Sequence, residues 1–538
     1  MTTLQTHTKK TNRLLDYANG PSLEEINGSI EVPKNLSFFK TLLAYSGPGA
    51  LVAVGYMDPG NWSTSITGGQ NFHYLLMSII LMSSLIAMLL QYMSAKLGLV
   101  TQMDLAQAIR ARTSKQLGIM LWILTELAIM ATDIAEVIGG AIALYLLFHI
   151  PLGIAVLITV FDVLLLLLLT KIGFRKIESL VVALILVIFL VFTYQVALSH
   201  PAWGEIAKGL LPHSEAFSTA HTVNGQTPLS GALGIIGATV MPHNLYLHSS
   251  IVQSRKLNHN KKEDIARAIR FSTLDSNIQL TVAFFVNALL LIMGVAVFKT
   301  GSVKDPSFFG LFDSLSNPNL MSNSILAHVA SSGILSFLFA IALLASGQNS
   351  TITGTLTGQI IMEGFIHMKV PIWFRRLITR LISVIPVIIC VLLTSGKSTV
   401  EEHIAINNLM NNSQVFLAFA LPFSMLPLLI FTNSKSDMTE DFKNSWLIKT
   451  LGWFSVISLI FLNMKGLPNQ IEGFLGDHPN HHQLLIADTI AYGMIVAVLL
   501  ILIWTIYELY KGNKLYQMAQ YPLNGKTDST SPYQNTKN

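Results

Sequence analysis

Two short stretches of this chain carry the residue types that could do chemistry. Gly55-Tyr56-Met57-Asp58-Pro59-Gly60-Asn61 sets a carboxylate and, three residues on, an amide around a proline. Val240-Met241-Pro242-His243-Asn244 sets a thioether and an imidazole around a second proline. Aligned on the prolines, both read Pro-x-Asn, and Asp58 stands opposite Met241. A proline brings no backbone N–H and clashes with the turn before it, so a helix unwinds there and releases carbonyls just upstream. Asp58, the Asn61 amide oxygen and a freed carbonyl, with Ala238 as the candidate, are oxygen donors that alone would suit Mg²⁺ or Ca²⁺. The Met241 thioether shifts the set toward softer divalent ions, Mn²⁺, Fe²⁺, Co²⁺ or Cd²⁺. A single carboxylate gives a site that can also release its ion. Taken alone, Met241 would read as core packing, since methionine fills irregular gaps.

A second group of residues could carry protons. His243 and His248 lie just after the second break, and histidine titrates near neutral pH. Asp133 and Glu136 are three residues apart, on one face of a helix. A chain from Asp58 toward Asp133 and Glu136, through His243, would make a relay. The plainer alternatives are an ion pair for the two acids and a hydrogen-bonded core position for His248. Glu126, Asp162 and Asp275 either line such a path or sit near helix ends. The run Gly347–Thr355, GQNSTITGT, is rich in small and hydroxyl residues and suits close helix packing or a polar lining.

The elements that must hold these residues are membrane spans. The chain has 538 residues, 51% hydrophobic and 12% charged, with mean hydropathy +0.54; soluble domains carry about 25% charged residues. Apolar runs near the bilayer-crossing length recur throughout. Twelve are expected, at about 42–67, 74–97, 117–147, 151–170, 177–198, 230–254, 275–298, 328–362, 377–395, 402–431, 446–464 and 484–510. With loops assigned to alternate sides, 29 of the 34 Lys and Arg residues fall on the side of the N-terminus. That bias predicts both termini in the cytoplasm. It also accounts for the net charge of +5 and argues against nucleic-acid binding. The polar first 40 residues predict no signal peptide, and Cys390, the sole cysteine, excludes internal disulfides.

The broken first and sixth spans are five spans apart. Five is odd, so the expected architecture is an all-α polytopic membrane protein with two inverted five-helix repeats and a site between them at the midplane. The divisions expected are a tail over 1–41, a first repeat over 42–198, an external loop over 199–229, a second repeat over 230–431, two further spans over 432–511 and a tail over 512–538. The tails, 1–40 and 512–538, read as disordered. The external stretch Asp477–Gln483, DHPNHHQ, reads as a solvated loop; its three histidines could also gather metal.

The motifs DPGN and MPHN, with TDIAEVIGG and GQNSTITGTLTGQI, resemble the Nramp family of divalent-metal transporters, and among them the bacterial proton-coupled manganese transporters. The likeness runs from about Leu43 to the tenth span. It implies the inverted-repeat fold shared with amino-acid and sodium-coupled transporters, and metal ligands at Asp58, Asn61, Met241 and the Ala238 carbonyl. A further carbonyl at Met57, Gly55 or Gly237 stays open. It also implies that Gln414 joins the metal in some conformations, and that Asp58, Asp133, Glu136, His243 and His248 take part in proton movement, with Arg255, Arg375 and Arg376 associated. Arginines at those positions could equally be topology charges. Met241 marks transition-metal selectivity, because magnesium-carrying relatives lack the methionine. The resemblance implies plasma-membrane import of Mn²⁺, or of Fe²⁺, Co²⁺ or Cd²⁺, with H⁺ as coupling ion. It implies no cofactor, protein partner or enzymatic activity. A sodium-coupled amino-acid transporter of the same fold is the alternative, disfavoured because Asp58 would repel a substrate carboxylate. No pore-loop motif supports a channel, and no HExxH a membrane protease.

Overall fold

A computed structural model describes residues 16–17, 22–23, 26–33, 36–162, 174–223, 226–297, 305, 307–394, 398–473 and 480–520. The described residues are almost wholly helical, arranged around a broken central pair. The first span is split into Pro48–Val54 and Pro59–Phe72, joined by a tight turn at Gly55–Met57. The sixth is split into Pro228–Thr239 and Pro242–Ile251. Around them stand the second span Met77–Thr101, the third Lys115–Phe148, the fifth Phe174–Ser199, the seventh Lys262–Ala296, the eighth Ile334–Ile366, the ninth Ile372–Thr394 and the tenth Thr399–Asn433. The eleventh, Trp446–Gly473, and twelfth, His481–Gln520, close the set. The fourth begins at Leu152–Ile158; its expected remainder at 163–170 lies outside the described residues.

Among the described residues nine helical stretches are long and apolar enough to cross a bilayer, fewer than the twelve expected spans. Breaking the first and sixth leaves each half too short, and the fourth is described only in part. Several helices overrun their apolar windows. The seventh starts at Lys262 rather than near 275, because a charged first turn, Lys262-Glu263-Asp264, is helical without being hydrophobic. Its acids at the helix N-terminus complement the macrodipole.

Burial separates core from rim. The third and tenth spans have 78% of their apolar window buried, the twelfth only 17%. The exposed leucines, isoleucines and aromatics of the eleventh and twelfth spans therefore face lipid, for which an apolar surface costs nothing. Every residue from Pro48 to Asn61 and from Gly231 to Ile251 is buried, so the two breaks lie at the centre of the bundle.

The described parts of the N-terminal tail depart from expectation. Ile30–Glu31 pairs in parallel with Arg255–Lys256, just past the sixth span, and Asp16–Tyr17 pairs antiparallel with Met368–Lys369 after the eighth. The Leu23 N–H donates to the Glu363 carboxylate at 2.9 Å and the Gly28 N–H to the Gln253 carbonyl at 2.9 Å. Ser22 and Leu23 are buried. A polar sequence with little apolar area is held by backbone pairing to the helix ends, which composition does not register. At the other end, residues 512–520 continue the twelfth helix.

Candidate metal site

Each break obeys one rule: a proline four residues after a carbonyl removes that carbonyl's helical donor. Pro59 frees Gly55 and Pro242 frees Ala238. Both carbonyls accept from the same group, the Asn61 side-chain Nδ2, at 3.1 Å and 2.8 Å. The same nitrogen donates to Asp58 Oδ1 at 2.8 Å. Three oxygens from the two broken spans thus converge on one amide nitrogen that has two hydrogens to give. A group of oxygens drawn around a positive centre is what a divalent cation requires. Asp58 also caps the helix Pro59–Phe72, its Oδ1 accepting the Asn61 N–H at 2.8 Å, while Oδ2 is buried without a hydrogen-bond partner. That oxygen is free to ligate.

The other carbonyls of the first break are taken. Met57 accepts from Trp62 Nε1 at 3.0 Å and from Ser346 Oγ at 2.6 Å, and Tyr56 accepts from Asn287 Nδ2 at 2.9 Å. Of the positions left open by sequence, Gly55 therefore points into the site and Met57 does not. Met241 is fully buried and extended at φ −85°, ψ 128°, starting the helix Pro242–Ile251. Its sulfur is approached by Asn244 Nδ2 at 3.8 Å. Asn244 also lies against Gly55, where a Cβ would strike its amide, so one side chain touches both breaks. Gln414 packs over Gly60, which has no room for a Cβ; its Nε2 donates to Ser413 Oγ at 3.1 Å and its Oε1 has no hydrogen-bond partner. Among the described residues no three His, Cys, Asp or Glu side chains gather to hold a metal. The donor set here is instead one acid, amides, carbonyls and a thioether.

The acids of the third span are ion-paired. Arg376 bonds Asp133 at 2.5 Å and Glu136 at 2.7 Å, and all three are buried. Glu136 also accepts from Ser350 Oγ at 2.6 Å and Thr351 Oγ1 at 3.1 Å, so these two hydroxyls of the GQNSTITGT run line the cluster, while Gly347 lies close to the third-span backbone at Gly140. Arg375 pairs with Glu126. Sequence reasoning left Asp162 unplaced and did not single out Arg380; the two form an ion pair that joins this cluster. His243 is buried and its Nδ1 has no hydrogen-bond partner, so no direct bond through that atom joins it to an acid. His248 Nδ1 lies 3.0 Å from Gln91 Oε1, and Gln91 Nε2 donates to the Tyr56 hydroxyl at 2.9 Å, linking His248 to the first break.

On the side of the N-terminus the site is sealed. Glu178 receives Arg255 at 2.7 and 3.2 Å and Arg175 at 2.9 Å. Arg255 also donates to the Ser46 carbonyl at 2.6 Å. Gly47, at φ 135°, lies so close to the Glu178 carboxylate that no Cβ fits. Asp275 accepts the Gly49 N–H at 2.8 Å and the Gly47 N–H at 3.2 Å, capping the first half-span. His481 and His482 of the stretch before the twelfth span are exposed, and 474–479 lie outside the described residues.

Residues 49–469 match the family model described as Nramp, natural resistance-associated macrophage protein-like. The chain is 57% identical over 450 residues to the divalent metal cation transporter MntH of Pediococcus pentosaceus, covering 84% of this chain and 97% of that one. It is 54% identical over 468 residues to MntH of Lacticaseibacillus casei, covering 87% and 98%. Among solved structures, the Eremococcus coleocola manganese transporter superposes with a TM-score of 0.87 at 64% identity, covering 92% of this chain and all 100% of that one.

Proposed function

The chain belongs to the Nramp family, and from that premise we propose that it imports Mn²⁺ and related divalent transition-metal ions together with protons, by alternating access around the paired breaks. It is a membrane transporter of divalent metal ions and not an enzyme. The observation that carries the site assignment is the convergence of Asp58 Oδ1, the Gly55 carbonyl and the Ala238 carbonyl on the Asn61 amide. In the loaded state the ion takes the centre now held by the amide nitrogen. Rotation of the amide then presents its oxygen, Asp58 adds the open Oδ2, and Met241 adds sulfur. Gln414, packed over Gly60, is the flexible ligand that follows the ion when the tenth span moves.

The ion's energetics follow from these donors. One carboxylate neutralises half of a divalent charge, and neutral oxygens supply the rest, so binding is reversible. The thioether gains little from Mg²⁺ or Ca²⁺, which prefer oxygen throughout. Uptake against a gradient needs a driving ion, and the buried acids beside the site, with His243 and His248 on the sixth span, are the groups that can hold one. The charge bias toward the N-terminal side supports plasma-membrane insertion with both termini cytoplasmic. The test is Mn²⁺ uptake into proteoliposomes with a pH-sensitive dye inside. Acidification that requires Mn²⁺ is expected; Mn²⁺ uptake with no proton movement would remove the coupling.

A further inference from the structure

Among the described residues the ion-pair cluster between the third, fourth, eighth and ninth spans does not balance. Asp133, Glu136 and Asp162 face Arg376 and Arg380, three acids against two guanidinium groups, all with side chains at most 4% exposed. Arg376 also reaches Asp162 at 3.6 Å and Arg380 reaches Glu136 at 3.3 Å, so the five groups form one unit. An uncompensated charge buried at membrane depth is costly, and the cheapest remedy is a bound proton. The arginines do not saturate the acids: among the described residues Asp133 Oδ2 and Asp162 Oδ1 are buried without hydrogen-bond partners.

A hydroxyl lies between two of the acids. Thr351 Oγ1 is 3.1 Å from Glu136 Oε2 and 3.3 Å from Asp162 Oδ2, and it accepts from Arg380 at 2.8 Å. It has one hydrogen and so can serve only one acid at a time. We propose that Asp162 is a proton-holding residue of this transporter, sharing one proton with Glu136 through the Thr351 hydroxyl. In the transfer the O–H bond at Glu136 Oε2 breaks as one forms on Thr351 Oγ1, and the Thr351 proton passes to Asp162 Oδ2. The cluster keeps its charge throughout, so the step requires no counter-ion. Among the described residues, the other charged and titratable groups that face it are Glu126 with Arg375, Asp58 on the first span, which feels the field of Glu136, and His243 on the sixth, which feels that of Asp133. The eighth span offers it only hydroxyls, Ser350 and Thr351.

This rests on the proton-coupled reading, and the experiment separates the two. Proteoliposomes carrying the wild type, Asp162→Asn, Asp162→Glu or Thr351→Val are given Mn²⁺, and Mn²⁺ uptake and internal acidification are recorded together. Asp162→Asn leaves two acids against two arginines and no need for a proton. Acidification per Mn²⁺ is expected to fall tenfold or more, with Mn²⁺ affinity by calorimetry unchanged and coupling restored in Asp162→Glu. Thr351→Val, which keeps every ion pair, is expected to slow acidification severalfold. Unchanged acidification per Mn²⁺ in both Asp162→Asn and Thr351→Val would overturn the proposal. So would a parallel loss of Mn²⁺ binding and acidification that Asp162→Glu does not rescue, which would make Asp162 structural. Absence of Mn²⁺-driven acidification in the wild type would overturn the coupling reading itself, and this proposal with it.

Discussion

Replacing Glu178 by Gln should unlatch the seal on the N-terminal side. Glu178 is a carboxylate with a side chain only 2% exposed, held by the equally buried Arg255 in a two-pronged pair and by the half-exposed Arg175. Glutamine keeps the shape and removes the charge, leaving Arg255 without its counter-charge. Stripping one partner from a buried pair costs about 3–5 kcal/mol. Arg255 retains the Ser46 carbonyl, so the lower value applies. If the sealed state carries this cost and the open state, where water reaches Arg255, does not, about 3 kcal/mol moves the equilibrium toward opening by roughly 150-fold. Cys390 is the only cysteine, so Cys390→Ser gives a thiol-free background. Into it goes Ala50→Cys, a reporter at a position 0% exposed in the sealed form. The labelling rate with an impermeant maleimide, applied to inside-out vesicles, should rise about a hundredfold with Glu178→Gln. A rate within threefold of the parent, in protein that still elutes as a single species, would refute the assignment of this pair as the latch.

Asp58→Ala should abolish Mn²⁺ uptake, since it removes the only carboxylate among the proposed ligands; near-normal uptake in proteoliposomes would sink the site. Met241→Ala should keep Mn²⁺ transport measurable while Ca²⁺ becomes an effective competitor; unchanged Ca²⁺ competition would deny the thioether its selectivity role. Gly60→Ala should weaken Mn²⁺ binding tenfold or more, because the added Cβ displaces the Gln414 side chain. Pairing it with Gln414→Ala should cost less than the sum of the two single changes, a coupling that calorimetry can read; strict additivity would mean that the two do not meet.

How much of this was legible in the sequence depends on the range of each interaction. The breaks were legible because a proline's missing N–H is local. The same rule pointed upstream of each proline and offered Ala238, but left Gly55, Met57 and Gly237 open, because it does not say which freed carbonyls turn inward. That choice is made by Trp62, Ser346 and Asn287, which occupy Met57 and Tyr56 from distant parts of the chain. Asp133 and Glu136 stood out by spacing. Their arginine, Arg376, lies more than 200 residues away, and nothing in its own neighbourhood announces the pairing. Asp162 was visible as an intramembrane acid without a role, because its meaning lies in a charge count over four spans. The described pieces of the N-terminal tail differ from the expected disorder for another reason. Backbone pairing with Arg255–Lys256 and Met368–Lys369 leaves no compositional trace.

The shared Asn61 amide also bears on how the protein is made. The Ala238 carbonyl finds its donor 177 residues earlier in the chain, in the opposite repeat. In lipid an unsatisfied backbone carbonyl costs several kcal/mol. A sixth span leaving the translocation machinery therefore carries a debt that its own repeat cannot settle, and it is stable only where the first span already waits. Insertion of the second half is thus templated by the first. A chain bearing only the second repeat should be held back, or cleared by membrane quality control, unless the first is supplied alongside it.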